Sequence, residues 1–341
     1  MPVRQPPRVP LARLPTPLVR ADWLARQLGG AQLWIKRDDL TGLELSGNKV
    51  RKLEYIVAGA LEAGCDTLIT EGTPQSNHCR TTAAVCARLG LGCHLLLRPP
   101  PPAGPPLGNH LMSQLFGARM SCFERQRFER EHDLIVARVL RDEEAAGRKP
   151  RFIPMGAAEP LGCWGYIRAA AELAEQLQRA GVGECDIVVA TSSGSTLAGL
   201  VLGKLAYRLD HWKLWGIPVS EDVLHHAANL ERLCRATIEQ YDLPVRYDPN
   251  AAELMQGYVG AGYGVPSKRS VDCLLELARC EAILLDPVYT AKAFLAVVDG
   301  IQAGRFGRQR PVVFIHTGGI FSDFAWPKLL AGGAARRKEA T

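Results

Sequence analysis

The sequence predicts an α/β protein built on two open, twisted, mostly parallel sheets flanked by helices, and three observations carry that expectation. Short apolar runs rich in β-branched residues alternate with segments of helical periodicity along the chain. The alternation falls into two series, one within residues 52–166 and another from 167 onward. A length of 341 residues with 47% hydrophobic content is nearer two domains than one and can bury a large core. The expected division is a large cofactor-binding unit of residues 1–51 and 167–341 and a small unit of 52–166. Two such units facing each other create a cleft, the usual place for a ligand.

The expected strands are TLIT at 67–70, GCHLLL at 92–97, DIVVAT at 186–191, KLWGIPV at 213–219 and PVVFIHT at 311–317, each a compact apolar run. Helical patterns lie between them at 50–64, 77–89, 165–180 and 220–240. A further amphipathic helix is expected over 128–146, next to the densest basic stretch, Arg125 to Arg130. Glu124 and Glu129 interrupt that stretch, which reads as a solvated helix face. Residues 98–106, with six prolines, are expected to form an extended solvated loop, and the tail from Gly332 to fray.

Composition excludes several functions. With 41 Lys and Arg against 35 Asp and Glu, the formal charge is only +6 and the basic residues are scattered, which argues against a nucleic-acid partner. No apolar run reaches the ~20 residues needed to cross a bilayer. The proline-studded N-terminus MPVRQPPRVPLARLPTP lacks the apolar segment of a secretory signal, so no membrane partner and a cytoplasmic location are expected. The ten cysteines contain no C-x-x-C pair, and most are expected to be buried, reduced thiols. Neither they nor the eight histidines form a ligand-spaced cluster, so no metal is expected.

Several stretches carry chemistry. Lys36-Arg-Asp-Asp is followed by Ser46-Gly-Asn-Lys-Val-Arg-Lys-Leu-Glu-Tyr55. Glycine and asparagine before Lys49 suit a tight turn that delivers the lysine to a helix start, where positive potential helps keep an amine unprotonated and nucleophilic. On this motif alone, an exposed turn lysine is the better reading. Thr191-Ser-Ser-Gly-Ser-Thr-Leu-Ala-Gly199 lies between an apolar strand and a helical stretch, the arrangement in which free N–H groups converge on a phosphate. It has neither the Walker lysine nor the full dinucleotide glycine spacing, so a compact monophosphate fits better than a nucleotide; a polar turn capping a helix is the alternative.

Glu71-Gly-Thr-Pro-Gln-Ser-Asn-His78 again links a strand to a helix, and Gln75, Ser76 and Asn77 there would cradle a substrate carboxylate. His78 is open between a capping or structural residue and a base. Tyr263 in Gly262-Tyr-Gly-Val-Pro266 and Tyr289 in Asp286-Pro-Val-Tyr-Thr290 sit in turn-rich settings that suit an active site and a packed core alike. His316-Thr-Gly-Gly319 ends the last strand with glycines that permit close backbone approach to a ligand.

Together these stretches resemble the family of D-cysteine desulfhydrase and 1-aminocyclopropane-1-carboxylate deaminase, pyridoxal-phosphate enzymes with the tryptophan synthase β-subunit fold. The resemblance runs from about Pro15 to Gly319. All six family motifs occur in order, with Ser193 where the phosphate loop often has threonine and Thr73-Pro74 where relatives often have glycine followed by a small or apolar residue. The resemblance implies that Lys49 carries pyridoxal phosphate as a Schiff base and that Lys52, Ser193, Gly194, Ser195 and Thr196 hold its phosphate. It implies Asn77 at the phenolic oxygen, Gln75 and Ser76 with neighbouring His78 on the substrate, and Tyr263 and Tyr289 on the substrate side of the ring. A homodimer is also implied.

Two positions discriminate within the family. The deaminases resemble D-P-V-Y-E, whose carboxylate would stabilise a protonated ring nitrogen and strengthen the electron sink; here the residue is Thr290. Thr317 stands where the deaminases tend to carry leucine. Both favour β-elimination of D-cysteine to pyruvate, hydrogen sulfide and ammonia over opening of a cyclopropane. The alternatives are an L-cysteate sulfo-lyase, the cyclopropane deaminase, and a non-catalytic protein that binds pyridoxal phosphate.

Overall fold

Apolar runs that alternate with helices can be buried on both faces only as parallel sheets covered by those helices. The computed structural model, which describes residues 4–101 and 103–336, has this arrangement twice. Strands β1 (Leu18–Arg20) and β2 (Leu33–Lys36) come first, then β3 (Thr67–Gly72), β4 (Gly92–Leu97), β5 (Arg119–Cys122) and β6 (Pro150–Ile153). The last four are β7 (Cys185–Thr191), β8 (Trp212–Pro218), β9 (Ala252–Leu254) and β10 (Val312–Ile315). One sheet has the order β1-β2-β10-β7-β8-β9 and is parallel except where β1 meets β2. The other, β5-β4-β3-β6, is parallel throughout.

The helices are α1 (Asp22–Gln27), α2 (Asn48–Glu62), α3 (Asn77–Leu89), α4 (Gly108–Leu115), α5 (Arg125–Ala145) and α6 (Pro160–Arg179). They continue with α7 (Ser195–Ala206), α8 (Val223–Tyr241), α9 (Lys268–Glu281), α10 (Thr290–Gln302), α11 (Ile320–Asp323) and α12 (Pro327–Arg336). Among the described residues none is long and apolar enough to cross a membrane.

Every expected strand is present, and the differences have local causes. α6 begins five residues before its expected start because Pro160 occupies the first turn, where its missing N–H costs nothing. α8 begins three residues late, at an Asp222 cap whose carboxylate accepts from His225 N at 2.8 Å. In α5 the backbone of Glu131 leaves helical geometry. The tail does not fray at Gly332: α12 continues to Arg336, and residues 337–341 lie outside the described ones. The proline-rich stretch is a loop over its described residues, but it is not simply solvated, since Pro99, Pro100, Pro105 and Pro106 line an apolar cavity.

The expected unit boundaries fall inside α2 and α6, which pack against each other. α2 joins the two cores: Tyr55 packs into that of the large sheet, while Val50, Leu53, Ile56 and Val57 enter that of the small one. A buried ionic cluster anchors it. Arg51, 1% exposed, donates to Asp38 at 2.9 and 2.7 Å, to Glu172 at 3.0 and 2.9 Å and to Thr16 Oγ1 at 3.0 Å. Lys36 Nζ donates to Glu172, Gln176 and the Thr16 carbonyl, and the Tyr166 hydroxyl donates to Asp38. Burial opposes charge on Arg51 and Asp38 alike, but their attraction outweighs it and leaves both ionised.

Removing one member of such a cluster strands its partners. Arg51→Met is expected to lower unfolding stability by about 3–5 kcal/mol, measured by urea titration. Loss of less than about 1 kcal/mol would show that the cluster behaves like a surface ion pair.

Candidate active site

Lys49 owes its position to the turn before α2. Gly47 has φ +107°, its N–H donates to Thr41 Oγ1 at 2.9 Å, and a Cβ on it would stand 2.8 Å from the Thr317 carbonyl. Asn48 N donates to that same carbonyl at 3.0 Å. The turn is thereby docked on the segment that follows β10, and Lys49 emerges from the first turn of α2 into a cleft of 460 Å³, within the roughly 300–1,000 Å³ usual for small-molecule sites.

Across the cleft the β7–α7 loop supplies an anion-binding end. Gly194 takes φ +90° and begins α7 without any side-chain cap, so the first N–H groups of the helix are left for a ligand. Asn48 Nδ2 donates to Thr196 Oγ1 at 3.0 Å, and Asn229 Nδ2 donates to the Ser193 carbonyl at 2.9 Å. Lys52 Nζ donates to Ser195 Oγ at 2.9 Å. Gly156, after β6, closes the floor: Lys49 Nζ, Lys52 Nζ and Ser193 Oγ each lie 3.5 Å from its carbonyl.

Burial pushes the Lys49 amine down to about 8. Burial and the charge of Lys49 push Lys52 well below the ordinary lysine range. Among the described residues neither forms an ion pair; their partners are a carbonyl and a hydroxyl. Two amines, Lys52 buried and Lys49 partly buried, stand beside an uncapped helix start, and a phosphate group carrying a reactive aldehyde matches the set: donors at one end, a nucleophilic amine at the other.

The third wall is the start of α3. Ser76 caps it, accepting from Cys79 N at 3.2 Å, and Asn77 Oδ1 accepts from Asn109 Nδ2 at 2.8 Å. His78 is 2% exposed; Thr70 Oγ1 donates to the Ile153 carbonyl, so it accepts from His78 Nε2 at 2.8 Å, which puts the proton on that nitrogen. Burial and the charges of Lys49 and Lys52 push its pKa well down, so the imidazole is neutral. Opposite, the hydroxyls of Tyr263 and Tyr289 are hydrogen-bonded to each other, and burial raises the pKa of both. Both are protonated phenols near neutral pH, able to give a proton rather than take one. Lys292 Nζ holds the loop of Tyr263 through the carbonyls of Val259 and Gly262, at 2.6 and 2.9 Å.

Lys49, Ser76, Asn77, His78, Ser193, Gly194, Thr196, Tyr263, Tyr289 and Thr317 all line this cleft. Four expected residues do not. Lys52 and Ser195 stand behind the wall, bonded to each other. Thr290 is fully buried, with its hydroxyl donating to Asp286 Oδ1 at 2.7 Å and accepting from Asp286 N. Gln75 turns away, its amide accepting from Asn109 N and donating to the Leu107 carbonyl. Sequence reasoning missed Gly156, Asn229, Asn109 and Lys292, none of which lies in a recognisable motif; Asn48 stood inside the lysine motif and was read only as a turn residue.

Residues 9–318 match the family described as "Pyridoxal-phosphate dependent enzyme". The chain is 40% identical over 327 residues to a D-cysteine desulfhydrase of Salmonella newport (strain SL254), covering 94% of this chain and 96% of the relative. A D-cysteine desulfhydrase of Klebsiella pneumoniae (strain 342) is 39% identical over 325 residues, with the same coverage. Among solved structures, an ACC deaminase homologue superposes with a TM-score of 0.85 at 35% identity, covering 96% of both chains.

Gly156 has φ +70°, and a Cβ there would stand 2.3 Å from Ser193 Oγ and 3.4 Å from Lys49 Nζ. Gly156→Ala should weaken pyridoxal-phosphate binding by at least about tenfold in a fluorescence titration; unchanged affinity would separate Gly156 from the site. The lowered pKa of Lys49 means that its uncharged amine forms as pH rises through about 8. The rate at which apoprotein regains the visible cofactor band should therefore climb with pH and level off just above 8. A rate still rising steeply at the ordinary lysine pKa would contradict this placement.

Proposed function

The chain belongs to the family of pyridoxal-phosphate dependent enzymes, and on that premise we propose that it catalyses β-elimination of D-cysteine to pyruvate, hydrogen sulfide and ammonia. One observation carries the reading: a partly buried lysine of lowered pKa and a pair of protonated tyrosines share the same cleft. Elimination needs both, a base for the α-proton and an acid for the departing sulfur.

Pyridoxal phosphate, when bound, supplies an electron sink conjugated to the α-carbon of the substrate. Ser193, Gly194 and Thr196 would hold its phosphate at the start of α7, with Lys52 propping Ser195 from behind. Ser76 and Asn77 orient the substrate carboxylate at the start of α3, which fixes the α-proton toward Lys49. Lys49 Nζ removes that proton; near pH 8 about half of the amine is free to accept it. Tyr289, hydrogen-bonded to Tyr263, gives a proton to the sulfur as the bond to the β-carbon breaks. Thr290 lies behind the cleft wall with its hydroxyl proton engaged by Asp286 and offers no charge to the cleft.

The finer setting belongs to the same proposal. Buried free thiols at Cys79, Cys86, Cys93, Cys163, Cys185 and Cys234 suit the reducing cytoplasm, and a homodimer accords with the family.

The test is release of 2-oxo acid, pyruvate from D-cysteine, L-cysteine, L-cysteate and β-chloro-D-alanine and 2-oxobutyrate from 1-aminocyclopropane-1-carboxylate. D-Cysteine should exceed L-cysteate and L-cysteine by at least about a hundredfold in kcat/KM, and the cyclopropane should give 2-oxobutyrate slowly or not at all. Preference for L-cysteate would move the leaving group to sulfite; no turnover of any substrate would leave a binding protein.

A further inference from the structure

Arg80, one turn beyond Asn77 on α3, is fully buried yet forms no ion pair among the described residues. Its Nη1 donates to the Glu44 carbonyl at 2.7 Å, its Nη2 to the Ser46 carbonyl at 2.8 Å and its Nε to Asn109 Oδ1 at 3.1 Å, and the ring of Phe321 lies 5.1 Å from the guanidinium carbon. Burying a charge without a counter-ion is costly. Two of the three bonds hold the segment just before Lys49. The third sets the direction of a chain of amides that ends in the cleft.

A guanidinium donates and cannot accept, so the Asn109 atom that meets it is the oxygen, and the amide nitrogen points the other way. That nitrogen donates to the Gln75 carbonyl at 2.9 Å, which can only accept, and to Asn77 Oδ1 at 2.8 Å. Asn109 is itself fully buried, and its backbone N–H is held by Gln75 Oε1 at 3.0 Å. With its oxygen engaged in this way, Asn77 turns Nδ2 to the cleft that it lines, and this nitrogen finds no acceptor among the described residues.

We propose that Arg80 and Asn109 are positioning residues that fix the Asn77 amide with its N–H groups toward the cleft, as a donor to an anionic oxygen of the bound cofactor or of the substrate carboxylate. Neither lines the cleft; each acts through Asn77. An amide turned the other way would place a carbonyl against the same anionic oxygen, so the direction of one side chain decides between attraction and repulsion. Because Arg80 also holds the Ser46 carbonyl, the turn that delivers Lys49 and the Asn77 donor share one buried cation. The proposal rests on pyridoxal phosphate in the cleft and not on the amino acid consumed, so failure of D-cysteine turnover overturns the β-elimination reading alone.

Asn109→Asp keeps the shape and the bond from Arg80 but replaces the donor to Asn77 by an acceptor, so Asn77 should turn over and present its oxygen to the cleft. Two affinities of the holoenzyme read this out. One is the visible band retained in equilibrium dialysis against stepped concentrations of free pyridoxal phosphate. The other is the shift of that band on titration with glycine, which brings a carboxylate without a β-substituent. At least one should weaken about tenfold or more; a loss in the first places the donor at the cofactor, a loss in the second at the carboxylate. Asn109→Ser, which frees the Asn77 amide without reversing it, should weaken the same affinity less. On an Asn77→Ala background neither change should weaken it by more than about a further twofold. Unchanged affinities in Asn109→Asp overturn the proposal. So does a serine variant weaker than the aspartate one, the order that loss of packing would give, and so do losses that add in full to that of Asn77→Ala. Where Asn109→Asp does not fold, Asn109→Ser decides by the same comparison with Asn77→Ala.

Discussion

The position of Lys49 depends on charges that never meet the ligand. Arg51, two residues further along α2, is buried against Asp38 of the loop after β2 and Glu172 of α6, and Lys36 at the end of β2 shares Glu172. Alternate residues of one helical turn thus face opposite tasks, with Lys49 toward the cleft and Arg51 toward the cluster behind it. Glu54, one turn on, accepts from the backbone N–H groups of Leu11 and Ala12 at 2.7 and 2.9 Å and ties down the N-terminal segment. Because interior charges must be paired, α2 cannot slide or rotate without breaking several short bonds at once. The reactive amine inherits that rigidity.

The cleft reverses this rule. Lys49 and Lys52 stand at the cleft with no carboxylate partner among the described residues, and Gly194 begins α7 without a cap. A protein that pairs Arg51 so thoroughly has left positive character exposed where an anionic cofactor can complete it. Binding energy from the phosphate is thereby available for holding the reactive end in place. The same burial lowers the pKa of Lys49 toward neutrality and raises those of Tyr263 and Tyr289, so base and acid are separated by environment rather than by residue type.

The opposite wall is also held from behind. Lys292 fixes the loop of Tyr263 through two carbonyls, and Asp286 accepts from the backbone N–H groups of Val288, Tyr289 and Thr290 as well as from the Thr290 hydroxyl. Thr290, expected at the cofactor ring, is thus part of a carboxylate-capped helix start.

The α/β class, the central strands and the lysine turn that faces the cleft were legible in the sequence. DIVVAT and PVVFIHT read clearly because strands buried on both faces must be apolar along their length. The lysine, serine and asparagine motifs read clearly because turn and cap chemistry is local. Edge strands such as β5, RMSC, escaped notice because one side meets solvent and apolar spacing is not required there. Only the tertiary structure decided that Gln75 turns to α4, that Lys52 stands behind the loop it supports, and that Gly156, Asn229 and Lys292 complete the site. Their roles come from partners dozens of residues away, and a contact between distant segments leaves no periodicity in the chain that makes it.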